Sequence, residues 1–504
     1  MIAALLSVLV PLAASTQLRP PVLPDTTQSV RDSSLRRHAH TAPQPPLSSD
    51  TFRFLDNGII RLGIDLSRGA TLGFLGPSSD PTLSLLNVHD FGRVVQASYY
   101  SGPDPFNPDG KCSEPGGWGR PWPWNPIGAG DVYLHAAPIL NVTVSPSNTS
   151  AVVWTQPMQW ACDSVPCDCV LEQHIALVGA AVEVQLTLHT ARTDTTFYPG
   201  STQELPAVYV IGDFCHLWTY NESAPFTGGA PTEQPAVWGV NAWDAFTSGE
   251  RWMAFTNASG YGVGVVSPFV AHFGAGFFNN GVIGVYNCTP KGLGPTDSPT
   301  GYIAPWSAEI IDPATPYTYS FALVLGELPD IQAYASARYA KGDSPLVPSY
   351  AYTATGTRAH CVYRDAEDSG LGPALAARGG LALAVTGPTP TVVSPITLFS
   401  PAAAPVLLVN ASYTSLPPGV SQAAMWWVPM GASQPCPACV LLAPIAPGSS
   451  WQVLQFALHS VPAYTGLQAV TQVLFQPFGA APLAPADFAQ AQVALASILT
   501  QAQQ

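Results

Sequence analysis

Residues 51–75 read TFRFLDNGIIRLGIDLSRGATLGFL. Two runs of β-forming residues, 51–55 and 59–66, flank Asp56-Asn57-Gly58, and Asn-Gly supplies the positive φ that a tight hairpin turn needs. A third run, 70–75, follows Ser67-Arg68-Gly69, so the ordered chain is predicted to open as an antiparallel meander. Working outward, β-rich runs recur at 132–140, 151–156, 170–177, 182–189, 207–211, 252–256, 262–266 and 317–326, each bounded by Gly, Pro, Asn or Asp. Helical periodicity is nearly absent across this interval. Many strands joined by long Pro- and Trp-rich connections predict an all-β protein with two curved antiparallel sheets around one core.

Composition narrows the class. The chain has 504 residues with 52 Pro and 43 Gly, and only 10% of its residues are charged, against roughly 25% in an ordinary soluble protein. Its 20 Phe, 18 Tyr and 13 Trp exclude charge-driven disorder, and the composition is wrong for a coiled coil. A formal net charge of −14 repels a phosphate backbone and leaves no polybasic stretch for anionic lipid, so nucleic acid is not an expected partner.

Residues 1–15, MIAALLSVLVPLAAS, form an apolar core followed by small residues, the pattern of a secretory signal peptide, and are too short to span a bilayer. Residues 16–49 are rich in Pro, Ser and Thr, carry the basic patch Arg36-Arg37-His38, and show no period, so they read as a disordered segment. No later stretch is apolar for long enough to cross a membrane. Six sequons, at Asn141, Asn148, Asn221, Asn257, Asn287 and Asn410, agree with an extracellular, glycosylated product. The nine cysteines lie downstream of the leader and are expected in disulfides, with an odd one left over. Cys162, Cys167 and Cys169, together with Cys436 and Cys439, also have spacing suited to zinc thiolates, the lesser reading in an oxidising compartment.

A composition shift at Lys341-Gly-Asp-Ser-Pro marks a linker between a domain of residues 50–340 and a second of residues 341–504. The second reads as a smaller β-sandwich that can bind carbohydrate. It ends in a helix over residues 487–504, capped by Asp487, with Phe488, Leu495, Ile498 and Leu499 on one face.

The segment NGIIRLGIDLSRGATLGFL resembles the start of galactose-mutarotase-like supersandwich proteins, and 310–321, IIDPATPYTYSF, resembles their closing strand. The likeness covers roughly residues 50 to 335. The segments LLNVHDFGRVVQASYYSGP, WPWNPIGAGD, TQELPAVY and DSPTGYIAP are similar to a group of secreted proteins with no assigned reaction. The resemblance implies a large antiparallel supersandwich and an activity on sugars: epimerisation, glycoside hydrolysis or polysaccharide lysis. It carries over no catalytic residue. Residues 464–466 with 473–477 resemble the last strands of small jelly-roll modules attached to carbohydrate-active enzymes.

Chemistry-bearing residues concentrate in one interval, where Asn87, His89, Asp90, Arg93, Gln96, Tyr99 and Tyr100 fall together. Aromatic faces stack on pyranose rings, while amides, carboxylates and guanidinium groups hold hydroxyls. Trp118, Trp122, Trp124 and Asn125 follow in a Pro-stiffened loop ending at Asp131. Two chemistries fit. In a lyase, Arg93 or His89 neutralises a uronate carboxylate and Tyr99 or Tyr100 moves the proton. In a hydrolase, Glu204 works with Asp90 or Asp131 across the glycosidic bond. Asp213, His216 and Tyr220 form a third polar group that can close the site. Each has a structural counterpart: His89 and Asp90 as turn caps, Arg93 as the ion-pair partner of Asp90, Glu204 as an exposed strand-end charge. No cofactor is expected; Asp104, Asp109 and Glu114 offer oxygen ligands for Ca²⁺ at a spacing that matches no defined loop. The expected partner is a polysaccharide or complex glycan, with a non-catalytic lectin-like or structural glycoprotein as the alternative. The sequence does not speak to oligomeric state.

Overall fold

A computed structural model describes residues 51–112, 122–194, 196–234, 244–278, 294–312, 316–342, 347–352, 358–368 and 380–501. The expected leader, the segment 16–49, Trp118, Glu114 and Asn287 lie outside the described residues.

Every strand pairing among the described residues is antiparallel. The opening hairpin pairs Phe52–Asp56 with Ile60–Asp65, Leu55 facing Leu62 across the ladder, and Thr71–Pro77 adds the third strand. They form one edge of a ten-stranded sheet that continues through Val95–Ser98, Ser201–Ile211, Thr300–Glu309, His272–Phe278 and Asp244–Thr247. Facing it is a nine-stranded sheet, whose centre runs Trp252–Thr256, Tyr261–Val266, Tyr317–Glu327, Ala181–Thr190, Cys169–Val178 and Ser150–Thr155. The period-2 alternation explains the layering. In 181–190 Val182, Val184, Leu186 and Leu188 turn inward, and Glu183, Gln185, Thr187 and His189 turn outward. The core between the sheets is aliphatic and aromatic, with Phe255, Phe273 and Phe277 wholly buried, each contributing about 1.5–3 kcal/mol of transfer free energy.

The sequence places most of these strands to within a residue or two, and three readings are corrected. The run 132–140 forms a strand only from Ile139 onward (Ile139–Val144), because residues 131–135 are held in a turn by Asp131. The helix Leu328–Ala340 was not expected; Ile331 and Ala335 pack on Trp252, Ala254 and Val324 of the nine-stranded sheet. Among the described residues the expected terminal helix is absent. Residues 487–490 lie in a 3₁₀ turn, Pro485–Gln490, and Gln492–Thr500 is a strand. Val493 and Leu495 point inward by strand alternation, and the strand pairs on one side with Leu407–Ser415 and on the other with Leu381–Val385. Two full ladders outweigh the modest helical preference of an Ala/Gln/Leu run.

A second pair of sheets, of six and five strands, encloses its own core around Leu407, Val409, Tyr413, Trp427, Phe456 and Phe475. Beyond Lys341, residues 343–346 of the expected linker lie outside the described residues. The two pairs of sheets meet at a polar seam. Arg358, 1% exposed, donates to Asp312 on one side and to Asp368 on the other.

Cysteine chemistry follows the disulfide reading. Bridges join Cys112 to Cys162, Cys167 to Cys169 and Cys436 to Cys439, and Cys215 is also disulfide-bonded, so the zinc reading fails. Among the described residues Cys361 is the free thiol; it is buried, and desolvation pushes its pKa up to about 12.

Candidate functional site on the ten-stranded sheet

Strand 201–211 sits between 95–98 and 300–309, with Glu204 opposite Ser98 on one side and Trp306 on the other. A register shift follows Glu204. It turns Leu205, Val208 and Val210 into the core and leaves Glu204, Ala207 and Tyr209 on the outer face. Alternation in 300–309 sends Ile303 inward and Tyr302, Ala304 and Trp306 outward. In 272–278, Phe273, Ala275 and Phe277 go inward and His272 outward. Gly274 leaves the space that the Trp306 indole occupies: a Cβ there would sit 1.9 Å from Trp306 Cζ2. Tyr99 and Tyr100 are neighbours in sequence and therefore on opposite faces.

The result is a carboxyl group set among aromatic hydroxyls. Tyr302 donates to Glu204 Oε1, Tyr100 Oη donates to Oε2 at 3.4 Å, and Trp306 Nε1 donates to the Tyr302 hydroxyl at 3.2 Å. The Tyr209 ring lies 5.4 Å from that of Tyr302. Tyr100 is anchored through its backbone, its N–H donating to Gln203 Oε1 at 2.8 Å while Gln203 Nε2 donates to its carbonyl at 2.5 Å. Burial raises the Glu204 pKa, and the two tyrosine hydroxyls only partly oppose it. The Tyr100 and Tyr302 hydroxyls are pushed up by burial and then by the Glu204 charge. His272, at the edge of Trp306 with ring centroids 5.6 Å apart, is lowered to about 4 by burial and is a neutral imidazole at neutral pH.

The polar interval 87–96 forms the rim and is braced to a second loop. Asn87 Nδ2 donates to the Asp297 and Pro299 carbonyls, at 2.8 and 3.2 Å. His89 Nδ1 meets the Thr296 carbonyl at 2.8 Å, and Arg93 donates to the Ser298 carbonyl at 2.5 Å. Arg93 also pairs with Asp90 at 3.5 Å, and Gln96 donates to the Gly92 carbonyl at 2.6 Å. Asn87, Arg93 and Gln96 are buried, whereas His89 and Asp90 are partly exposed. Burial raises the Tyr209 pKa first, followed by the charges of Glu204, Tyr100 and Asp90 and against that of Arg93, so this rim and the carboxyl share one electrostatic neighbourhood.

Other expected residues fall elsewhere. Tyr99 is 0% exposed between the sheets, against Tyr317 and Tyr319, where no sugar reaches it. Trp122, Trp124 and Asn125 are buried: Asn125 donates to Ser98 Oγ and the Tyr99 carbonyl and accepts from Trp122 Nε1, which locks the loop rather than lining a groove. Asp131 is wholly buried and accepts from the Tyr133, His135 and Ser164 amides, so it is a turn former and not a second carboxylate. Asp213 is exposed in the turn beyond strand 201–211. His216 lies on the nine-stranded sheet, bonded to Glu233 at 2.7 Å, and Tyr220 is buried with its hydroxyl on the Ala224 carbonyl. Of the calcium candidates, Glu114 and the side chain of Asp109 lie outside the described residues; among the described residues no three His, Cys, Asp or Glu side chains gather as a metal site. Tyr209, His272, Tyr302 and Trp306 were not singled out, although two stand in the segments TQELPAVY and DSPTGYIAP. Alternation is the signal for Tyr302 and Trp306, which share one face of strand 300–309, and for His272, opposite in parity to Phe273; Tyr209, five residues from Glu204, reaches the same face only through the register shift, which no local pattern marks.

No protein-family model and no curated protein matches the chain. Among solved structures it is similar to a galactose mutarotase-like protein from Lactobacillus casei, at 10% identity and a TM-score of 0.32 over 54% of this chain and 99% of that one. A galactose mutarotase related enzyme from Lactobacillus acidophilus is similar at 9% identity and a TM-score of 0.31, over 54% and 97% of the two chains. An α-N-acetylgalactosaminidase from Bifidobacterium bifidum is similar at 10% identity and a TM-score of 0.34, over 59% and 40%. The first two are structures of the kind that the opening hairpin resembles, and the chemistry of the site follows from its own residues.

Proposed function

We propose that the protein is an exported carbohydrate-active enzyme that cleaves a glycan by acid-assisted hydrolysis, with Glu204 as the proton donor. The observation that carries this reading is the Glu204 carboxyl itself, partly exposed on an aromatic sheet face, held by Tyr302 and Tyr100, its pKa raised by desolvation. A raised carboxyl pKa keeps the acid form available nearer neutral pH, which is what protonation of a glycosidic oxygen requires. Tyr100 and Tyr209 offer ring faces for stacking. Asp90, the other carboxylate whose charge reaches Tyr209, is the partner that would activate water or stabilise the developing cation. The proton passes from Glu204 to the leaving oxygen as the glycosidic bond breaks, water gives its hydroxyl to the anomeric carbon and its other proton to Asp90, and exchange with solvent returns both carboxyls to their starting forms.

Elimination is the weaker alternative. It needs a tyrosine that ionises easily and a free cation for a uronate, whereas the Tyr100 pKa is raised and Arg93 is engaged by Asp90 and the Ser298 carbonyl. The disulfides and the expected leader support export. The test is a panel of neutral and uronic polysaccharides, scored for new reducing ends and for the ultraviolet absorbance of an unsaturated uronate. Reducing ends without that absorbance, lost about 10²- to 10⁴-fold in Glu204→Gln, are expected. Wild-type rates in Glu204→Gln, or binding without cleavage, would sink the proposal.

A further inference from the structure

Two cavities, of about 490 and 390 Å³, open on the outer face of the nine-stranded sheet, away from Glu204. Both are lined by Gln185, Ser320 and Arg338, so they form one groove. Its floor is a rung of facing residues across four strands, Val152, His174, Gln185 and Ser320. Three interstrand spacings make the floor about 14 Å wide.

The two histidines that line the groove, His174 and His360, are each held by a carboxylate. At one end Glu172 meets His174 Nε2 at 2.6 Å and His189 Nε2 at 2.9 Å, and Trp154 stacks on His189 at 5.5 Å. At the other, His360 Nδ1 meets Oε1 of Glu309 at 2.9 Å, and Phe269 stacks on the imidazole at 3.9 Å. Glu309 is 1% exposed, on strand 300–309, and His360 reaches it from the second pair of sheets. Arg358, Ala359 and His360 all have positive φ, of 49°, 51° and 60°. Residues with side chains visit that region singly. A run of three is what turns Arg358 into the seam and His360 onto the groove. With Nδ1 committed to a buried carboxylate, the second ring nitrogen is fixed in direction, which is how a carboxylate orients an imidazole toward a ligand.

We infer that this groove is a second glycan-binding site, distinct from the Glu204 site, that takes a neutral oligosaccharide and in which Glu309 is a positioning residue for His360. The lining is hydroxyls, the Gln185 amide and two imidazoles beside the Phe269 ring, the set that holds sugar hydroxyls and a ring face. Neutrality follows from the charges of the lining: its one carboxylate, Glu183, pairs with its one guanidinium, Arg338, at 2.9 Å. The groove thus presents dipoles rather than an uncompensated charge. It makes no use of Glu204 and stands whether or not that residue is the acid.

The test is calorimetric titration of full-length Glu204→Gln protein with cellohexaose, mannohexaose, xylohexaose, laminarihexaose and maltohexaose, and with an oligogalacturonide as the anionic probe. At least one neutral hexasaccharide should bind saturably. His360→Ala and Gln185→Ala should each weaken it about tenfold, the loss of one directed hydrogen bond. Glu309→Gln should weaken it too and change the nitrogen chemical shifts of the His360 ring, which a purely structural carboxylate would leave alone. Gln185 is exposed, so its variant reports on binding even if the seam variants fold poorly. No binding by any neutral hexasaccharide, tighter binding of the oligogalacturonide, or undiminished binding in both His360→Ala and Gln185→Ala would overturn the inference. Because these titrations score binding alone, they are separate from the cleavage assay that decides the role of Glu204.

Discussion

Tyr302 and Glu204 lie on adjacent strands and share one hydrogen bond, donated by the phenol to Oε1, with Trp306 donating to the same phenolic oxygen at 3.2 Å. This bond favours the ionised carboxylate while burial disfavours it, so removing it raises the Glu204 pKa further. In Tyr302→Phe the alkaline limb of the cleavage profile, where a proton donor is lost, should move to higher pH, and the maximal rate should fall. A limb that stays in place would separate Glu204 from the proton transfer.

Stability carries the same signature. A carboxyl whose folded pKa lies above its unfolded value of about 4.5 contributes stability below that value and loses it as pH rises through the folded pKa. Wild type should therefore lose ground to Glu204→Gln as pH rises from 4.5 toward neutral, read as the difference between their melting temperatures. A pH-independent difference would mean that Glu204 ionises normally.

Gly274 tests the aromatic wall without touching the acid. In Gly274→Ala the new methyl meets Trp306 Cζ2 at 1.9 Å, so the indole must leave and its bond to Tyr302 is lost. A change in tryptophan emission and a loss of cleavage greater than the loss of stability are expected. Unchanged emission would show that Trp306 is not held by that gap.

At the seam, burial lowers the Arg358 pKa, but its hydrogen bond and charge contact with Asp368, helped by Asp312, more than offset this and raise it. Arg358→Met leaves Asp368 buried without its cation and should cost about 3–5 kcal/mol in denaturant unfolding. Arg358→Lys should recover only part, since it cannot reach both carboxylates with a fork.

The bridge between Cys112 and Cys162 closes a loop of 50 residues, and its replacement by serines should cost about 4 kcal/mol, against about 1.5 kcal/mol for the bridge between Cys167 and Cys169. Guanidinium midpoints of the two serine pairs compare them directly. Equal losses would mean that loop closure is not what these bridges contribute.

Much of the fold was legible because strand alternation and turn chemistry are local. Asn57-Gly58 marked the first hairpin, and the runs near 170–177, 182–189, 252–256 and 317–326 lie within observed strands. The helical reading of residues 487–504 failed because the helical preference of Ala, Gln and Leu is small per residue, and the ladders to 381–385 and 407–415 outweigh it. The candidate site was legible only in part. Tyr100 and Glu204 were named as polar residues in aromatic surroundings, but composition does not say which way a side chain points. Tyr99 and Tyr100 read alike and face opposite sides, and Trp122, Trp124 and Asp131 read as a sugar wall and turned out to be braces.

The sequence by itself determined an aromatic, weakly charged, all-β chain with cysteines suited to oxidation, since those properties are sums over residues or patterns within ten of them. The tertiary structure alone decided that Glu204 meets Tyr302 across 98 residues, and His360 meets Glu309 across 51, because ladder register and the packing of two sheet pairs are cooperative properties of the whole chain.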